Sequence, residues 1–409
     1  MNLNKDVFLI FTSAFLRSFA VSCASVFLGI YLAERGFGLV EMGLVLTLGL
    51  LGSALATLVV GLWGETLGRK SSLVLTSALM VIGGLGLAYS HNFYMILFMV
   101  FLGLVNGQGR DRGAQNALDQ AILPDTTTDQ DRTKIFVGYN IVLDVGHSLG
   151  ALASTLPYWI RLATGVSAIE SYQWTFLFYS VLLSGNVLLY SLLSKKVEVT
   201  HRHERVKISE ETRPVIAKLA GLFGLDSFGG GFLTSALISY WFFERFGTGE
   251  EFLGPLFFLA RSLNVVSYLG SFWLSKRIGL VNTMVFTHIP ASFLMITASF
   301  MPNFWIAALL FLARESLSSM DIPARQSYIM AVVRPKERTF TAGVTNVTRN
   351  LGTALGPSFA GASMQAVNLA FPLLFGSGLK IIYDLLLFQS FRHLKPPEEK
   401  GRGPLGQGA

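Results

Sequence analysis

An all-α membrane protein of twelve helices, arranged as two related six-helix bundles, is the fold class this sequence predicts. Three observations carry the prediction. Of 409 residues, 52% are hydrophobic and only 14% charged, where soluble domains carry roughly 25%. The apolar residues gather in repeated runs of about 20, the length that crosses a ~30 Å hydrocarbon layer. The second half of the chain repeats the first.

The runs place helices near 7–31, 40–63, 71–89, 93–115, 135–157, 172–193, 214–242, 252–274, 281–300, 304–331, 340–361 and 369–391. They are too long and too uniformly apolar for the alternating ~10-residue strands of a membrane barrel. Lysine and arginine set the orientation. With a cytoplasmic N-terminus, twenty of them fall in the inner loops and tail, and three, Arg35, Arg161 and Arg245, fall outside. Both termini are therefore expected in the cytoplasm. The net charge of +7 reads as a topological signature and not as nucleic-acid binding. The single cysteine, Cys23, rules out a disulfide framework and a cysteine metal cluster, and neither metal nor cofactor is expected. Short loops without an appended soluble domain favour a prokaryotic inner (cytoplasmic) membrane.

The long polar connection SKKVEVTHRHERVKISEETRP, from Ser194, separates six helices from six. Expected units are a first bundle over 1–193, a cytoplasmic connection over 194–213, a second bundle over 214–392 and a disordered polar tail over 393–409. Asn92 to Pro124 aligns with Asn303 to Pro335 at a constant shift of 211, bringing Gln115 onto Gln326. Downstream the shift becomes 206, where Arg132, Asn140, Gly146 and Gly150 meet Arg338, Asn346, Gly352 and Gly356. The lost residues fall in a loop, where an indel costs little. FLRSF (15–19) pairs with GLDSF (224–228), so the chain is a tandem duplication.

Between helices 2 and 3 stands GLWGETLGRK, which reads G-x3-E-x2-G-R-K from Gly61 to Lys70. It resembles the signature loop of the major facilitator superfamily, at the place where that family has it. The resemblance covers essentially the whole chain and implies two six-helix halves related by an axis along the membrane normal. It also implies a transporter of small molecules that works as a monomer. In the family this loop latches the two halves on the cytoplasmic side. Gly61 and Gly68 would allow close helix approach, Glu65 would face a helix N-terminus, and Arg69 and Lys70 would anchor at the interface. Family antiporters carry G-x3-G-P-x2-G-G in helix 5. Here Ala151 stands at the proline position, and helix 11 instead carries GTALGPSFAG, whose Gly352, Gly356 and Pro357 are expected to serve helix packing.

Charges at membrane depth cost at least ~2.5–3.5 kcal/mol each on insertion scales, so they face a cavity or a partner. Arg17 lies roughly 18 Å along its helix from Lys5, and Asp226 about 20 Å from Arg213. The repeat makes these two positions equivalent, a base in one half opposite an acid in the other. GQGRDRG, at the end of helix 4, repeats the inversion, because Arg110 falls on Asp321. The resemblance places helices 1, 4, 7 and 10 around a central cavity, so each couple is expected to form a charge pair across the pseudo-twofold axis. Arg110 and Arg112 could equally snorkel to the interface. Asp111 could neutralise its neighbours or face the other way. Asp144, Arg261, Arg314, Glu315 and Arg349 complete the substrate and coupling candidates. Lys380 and Asp384, four apart, are expected to neutralise each other. His147 reads as a hydrogen-bonded interior residue, His201 and His203 as solvated. GLDSFGGGF reads as a hinge or break in helix 7, or as close packing.

The leaning of these residues toward arginine points to an anionic or zwitterionic solute. A secondary active transporter working by alternating access is expected, coupled to protons, with Asp226 the first choice of carrier and Asp321 and Glu315 behind it. A proton-driven drug efflux antiporter and a transport-inactive sensor or assembly factor on the same fold are the alternatives. No enzyme motif is present: no strand precedes GQGRDRG as a phosphate loop requires, and there is no nucleophile elbow. The partners expected are the solute, protons and the lipid bilayer.

Overall fold

A computed structural model describes residues 4–127, 131–198, 209–210, 212–333 and 337–392. The regular structure among them is helical: α1 Lys5–Glu34, α2 Leu39–Leu67, α3 Arg69–Tyr89, α4 Phe93–Leu102, α5 Ala114–Asp125, α6 Arg132–Ala153, α7 Leu156–Thr164, α8 Ala168–Ser191, α9 Thr212–Gly231, α10 Ser235–Phe246, α11 Glu250–Ile278, α12 Leu280–Phe300, α13 Phe304–Ser318, α14 Asp321–Val332, α15 Arg338–Ala366 and α16 Phe371–Phe391. A short 3-10 turn, Lys195–Val197, follows α8. The tail over 393–409, most of the inter-bundle connection, His201 and His203 lie outside the described residues.

Nine helical segments are long and apolar enough to cross a bilayer among the described residues. The three expected spans missing from that count are the fourth, tenth and eleventh, the ones that carry Arg110, Arg112, Arg314, Glu315, Asp321 and Arg349. Polarity has a structural consequence there. The fourth span, expected as one helix over 93–115, is two helices separated by residues 103–113. Gly109 (φ 75°) and Leu104 (φ 54°) take left-handed backbone conformations that a helix cannot contain. Asn106 stitches the break, its Nδ2 donating to Arg110 O at 2.6 Å and its Oδ1 accepting from Gln108 N at 2.7 Å. The seventh span breaks after Gly231, as GLDSFGGGF allowed, and Thr234 caps α10 by accepting from Leu237 N. The tenth breaks more gently, at Ser319 and Met320.

The duplication is visible in local geometry. Gly36 and Gly247 end equivalent helices at φ 77° and 63°, and Gly68 and Gly279 make equivalent turns at φ 86° and 88°. Asn92 and Asn303 each cap a helix by accepting from the N–H two residues on, both at 2.8 Å. Glycine also sets the packing within each bundle. A Cβ on Gly146 would stand 2.9 Å from Phe15 O, and one on Gly150 would overlap Phe19 O. At the equivalent places, a Cβ on Gly352 would stand 2.6 Å from Gly224 O, and one on Gly356 2.5 Å from Gly231 Cα. So α6 lies against α1 as α15 lies against α9.

The two bundles meet along α2–α15, α6–α11 and α1–α10. The bonds that tie them cluster in the middle of the molecule and toward the face away from the chain termini. Thr47 Oγ1 accepts from Ser358 N at 2.9 Å. Gly29 sits on Ala236, Gly43 on Pro357 and Gly254 on Thr155, with no room for a side chain at any of the three. At the far end Arg161 pairs with the buried Glu250 at 2.5 Å, and Tyr172 donates to Glu250 at 3.2 Å. Large apolar side chains such as Leu62, Tyr94, Val181 and Leu269 cover the outside of the molecule, as lipid contact requires.

Candidate functional site

A cavity of about 140 Å³ lies between the bundles, lined mostly by the second. The first contributes Gln108, Arg110 and Arg112, all from the helix break. The second brings Asp226 and Ser227 from α9, Arg261 from α11, His288 from α12, Arg314 and Glu315 from α13, Asp321 and Arg325 from α14, Arg349 from α15 and Lys380 from α16. Six arginines and one lysine face two aspartates and one glutamate, an excess of four positive charges.

The acids are already committed. Asp226 accepts from Lys380 Nζ at 2.7 Å through Oδ1 and pairs with Arg325 at 3.4 Å through Oδ2. Asp321 pairs with Arg325 at 2.7 Å, one turn along α14. Glu315 pairs with its neighbour Arg314. Among the described residues, four arginines are left without a carboxylate. Arg110 donates to Ser319 Oγ at 3.1 Å, Arg261 to Ser235 Oγ at 2.7 Å and to Gln108 O at 3.3 Å, and Arg349 to Ser227 Oγ at 3.2 Å. Arg112 is exposed to the cavity and makes no hydrogen bond or ion pair among the described residues.

The expected pairing across the axis is not made. Arg17 lies inside the first bundle, fully buried, donating through Nε to Asp111 at 2.5 Å and through Nη2 to Asp119 at 2.8 Å, with Tyr190 on its remaining face. Tyr139 donates to Asp119 at 3.0 Å. Asp111 therefore faces away from Arg110 and Arg112, and its own N–H donates to His147 Nε2 at 2.9 Å. The physical reason is proximity: the break after α4 and the helix α5 each bring one carboxylate within reach of Arg17, while Asp226 finds two cations in its own bundle. Arg110 and Asp321 both line the cavity but bond elsewhere, to Ser319 and Arg325. Asp144 stays off the cavity lining, 4.0 Å from His147. Lys380 and Asp384 do not neutralise each other. Lys380 serves Asp226, and Asp384 pairs with His288 Nδ1 at 3.0 Å while its Oδ2 has no partner among the described residues.

The family follows from the chain as a whole. Residues 10–357 match the family model described as Major Facilitator Superfamily. The chain belongs to that superfamily. An uncharacterized membrane protein of Saccharomyces cerevisiae, YJR124C, is 25% identical over 418 residues, covering 94% of this chain and 93% of its own length. Among solved structures, a D-xylose-proton symporter superposes with a TM-score of 0.75 at 12% identity, covering 97% of this chain and 99% of its own. The human organic anion transporter MFSD10 (TETRAN) superposes with a TM-score of 0.63 at 17% identity, over 94% and 99%. Likeness at that distance shows the fold alone: an all-helical chain in two pseudo-symmetric six-span bundles.

In this conformer the superfamily loop makes its described bonds within its own half. Gly68 is required by its positive φ, but a Cβ on Gly61 would meet no heavy atom within 4 Å, so no close helix approach depends on it. Arg69 donates to Asp125 at 2.6 Å, and Lys70 Nζ to Leu193 O at 2.8 Å. Glu198 caps α3, accepting from Arg69 N at 2.7 Å and Lys70 N at 3.2 Å. These bonds stay within the first bundle and the connection that leaves it; none of them latches the halves together. The side chain of Glu65 is outside the described residues.

Sequence reasoning missed Arg325, His288 and Asp119. Arg325 was legible, because it stands four residues after Asp321 on one helical face. Asp119 and His288 gave no comparable signal: each pairs with a residue about 100 positions away, or 96 in the case of His288 and Asp384.

Proposed function

We propose that this protein is a secondary transporter that carries a small organic anion through the cavity between its bundles by alternating access. The observation that supports this reading is the set of four arginines, Arg110, Arg112, Arg261 and Arg349, that face the cavity without a carboxylate. Cations in a low-dielectric cleft focus field and raise the local concentration of anions. The same lining repels cationic drugs, which sets the drug-efflux alternative behind. A zwitterion would be held by its carboxylate.

The bonds at the face away from the termini match a conformer closed on that side, and the lysine and arginine bias makes the terminal face cytoplasmic. One chain supplies every wall of the cavity, so a monomer suffices. Proton coupling is the energy source of this reading, with a change of carrier. Both carboxylate oxygens of Asp226 are taken by cations, Lys380 and Arg325. Asp384 is fully buried with an unpartnered oxygen, and its partner His288 reaches the cavity. That pair is the better seat for a transferred proton.

Uptake by proteoliposomes of a radiolabelled panel of organic anions, amino acids and cationic drugs tests the reading. We expect flux of an anion that is faster under an imposed pH gradient and loses that acceleration in Asp384→Asn. Flux of cationic drugs alone would overturn it. Tight binding without flux would favour the sensor alternative.

A further inference from the structure

The cavity's charge arithmetic and geometry carry the reading further than "anion". We infer that the ligand is a small dianion, a molecule with two acidic charges such as a dicarboxylate or a phosphate monoester, held between two walls of arginine. This rests on the anion reading above.

Every acid on the lining is already in an ion pair within the second bundle: Asp226 with Lys380 and Arg325, Asp321 with Arg325, Glu315 with Arg314. The positive excess therefore sits on Arg110, Arg112, Arg261 and Arg349, and a monoanion would neutralise only one of four. A guanidinium presents a planar fork that takes a carboxylate or phosphate through two parallel hydrogen bonds. In this structure each of the four spends at most part of its donors. Arg112 spends none among the described residues, Arg349 uses Nε alone on Ser227, Arg110 uses one Nη on Ser319, and Arg261 keeps a buried Nε with no partner. Of these, Arg261 Nε is buried without a partner, which costs about 1–3 kcal/mol, and the other leftover donors open to the cavity, where acceptor oxygens of a bound anion would meet them.

The placement matches two acidic groups. Arg110 and Arg261 share one hydrogen-bonded neighbourhood: Arg261 donates to Ser235, Ser235 Oγ donates to Gln108 O at 2.9 Å, and a Cβ on Gly109 would lie 2.8 Å from Arg261 Nη2. Arg349 comes from α15 on the wall formed with α9, where it donates to Ser227. Arg110 and Arg112 project from the irregular segment 103–113 of the first bundle, and Arg261 and Arg349 from the second. A ligand with an acidic group at each end would engage Arg110 and Arg261 with one and Arg349 on the α9–α15 wall with the other, and a monoanion of the same skeleton would engage one end only. The cavity of about 140 Å³ suits a metabolite-sized solute.

The experiment is thermal unfolding of the purified full chain in lipid nanodiscs, at fixed pH and ionic strength. The probes are matched pairs on one skeleton: succinate against butyrate, glutarate against valerate and glycerol phosphate against glycerol, with inorganic phosphate and tetraethylammonium alongside. We expect at least one dianion to raise Tm with an apparent Kd at least tenfold below that of its monoanionic or neutral partner. Succinate and glutarate against glycerol phosphate separate a dicarboxylate from a phosphate ester, and inorganic phosphate shows whether the skeleton matters. Arg112→Gln and Arg349→Gln should each reduce that preference at least tenfold. The Tm of the unliganded protein should not fall in either variant, since neither side chain holds a carboxylate. Equal or tighter binding of the monoanions would overturn the dianion inference and leave the anion reading standing. Stabilisation by tetraethylammonium and by no anion would overturn both. A preference for dianions that survives both substitutions would overturn the assignment of these arginines.

Discussion

Each bundle builds a charged cluster around the equivalent residue of its first helix, and the two have opposite signs and opposite surroundings. In the first, a base on α1, Arg17, is enclosed by Asp111, Asp119, Tyr139 and Tyr190 with no exposure to solvent. In the second, an acid on α9, Asp226, is held by Arg325 and Lys380 at the cavity wall. One ancestral arrangement has become a sealed brace in one half and a lining in the other. A buried ion pair that loses one partner leaves an uncompensated charge, whereas one beside water is partly compensated. The first cluster should therefore govern folding, and the second ligand binding.

The sharpest way to break this contrast is to remove each centre. Arg17→Gln leaves Asp111 and Asp119 without their cation and should destabilise by about 3–5 kcal/mol. It is expected to lower Tm strongly or abolish recovery of folded protein, as read by fluorescence size-exclusion chromatography. Asp226→Asn should cost less, about 1–3 kcal/mol for its unsatisfied partners, while binding of anions changes measurably because Lys380 and Arg325 become available. Equal losses of stability in the two variants would erase the distinction.

The contrast also runs from one membrane face to the other. Arg161→Gln breaks the pair with buried Glu250 that joins the bundles away from the termini. In a Cys23→Ser background carrying Ser154→Cys at that seam, maleimide labelling should rise about tenfold, an opening bias of about 1.4 kcal/mol. Unchanged labelling would show that glycine packing alone closes this face. The smallest effect is expected at the superfamily loop. Glu198→Gln weakens a cap on α3 and should cost about 0.5–2 kcal/mol in stability, with the bundle-to-bundle equilibrium unmoved, since its bonds do not cross to the second bundle. A change in Ser154→Cys labelling in that variant would restore a latch role.

How much was legible differs between scaffold and site. Span number, the duplication and the glycine seams of α15 were all written in local pattern, because lipid demands long apolar runs and close helix contacts demand missing side chains. Three helix breaks were harder: GLDSFGGGF left one open beside close packing, while the breaks at GLVNGQGRDRG and at Ser319 and Met320 were not expected, since an apolar run carries no mark of where its hydrogen-bond ladder stops. Among the charges, Arg110, Arg112, Arg261, Arg314, Glu315, Asp321, Asp226 and Arg349 were picked out and do line the cavity. Arg17 and Asp144 were picked by the same reasoning and do not.

Sequence alone determined that this chain is a duplicated twelve-span membrane protein, for hydropathy and repeat act through local composition and spacing. The tertiary structure decided which buried charges face one another. Depth along a helix follows from counting residues, but partnership depends on helix rotation and on which neighbouring helix brings a counter-charge within about 3 Å. Arg17 and Asp226 occupy equivalent depths on equivalent helices, and only packing could give one of them two carboxylates in a sealed interior and the other a cavity.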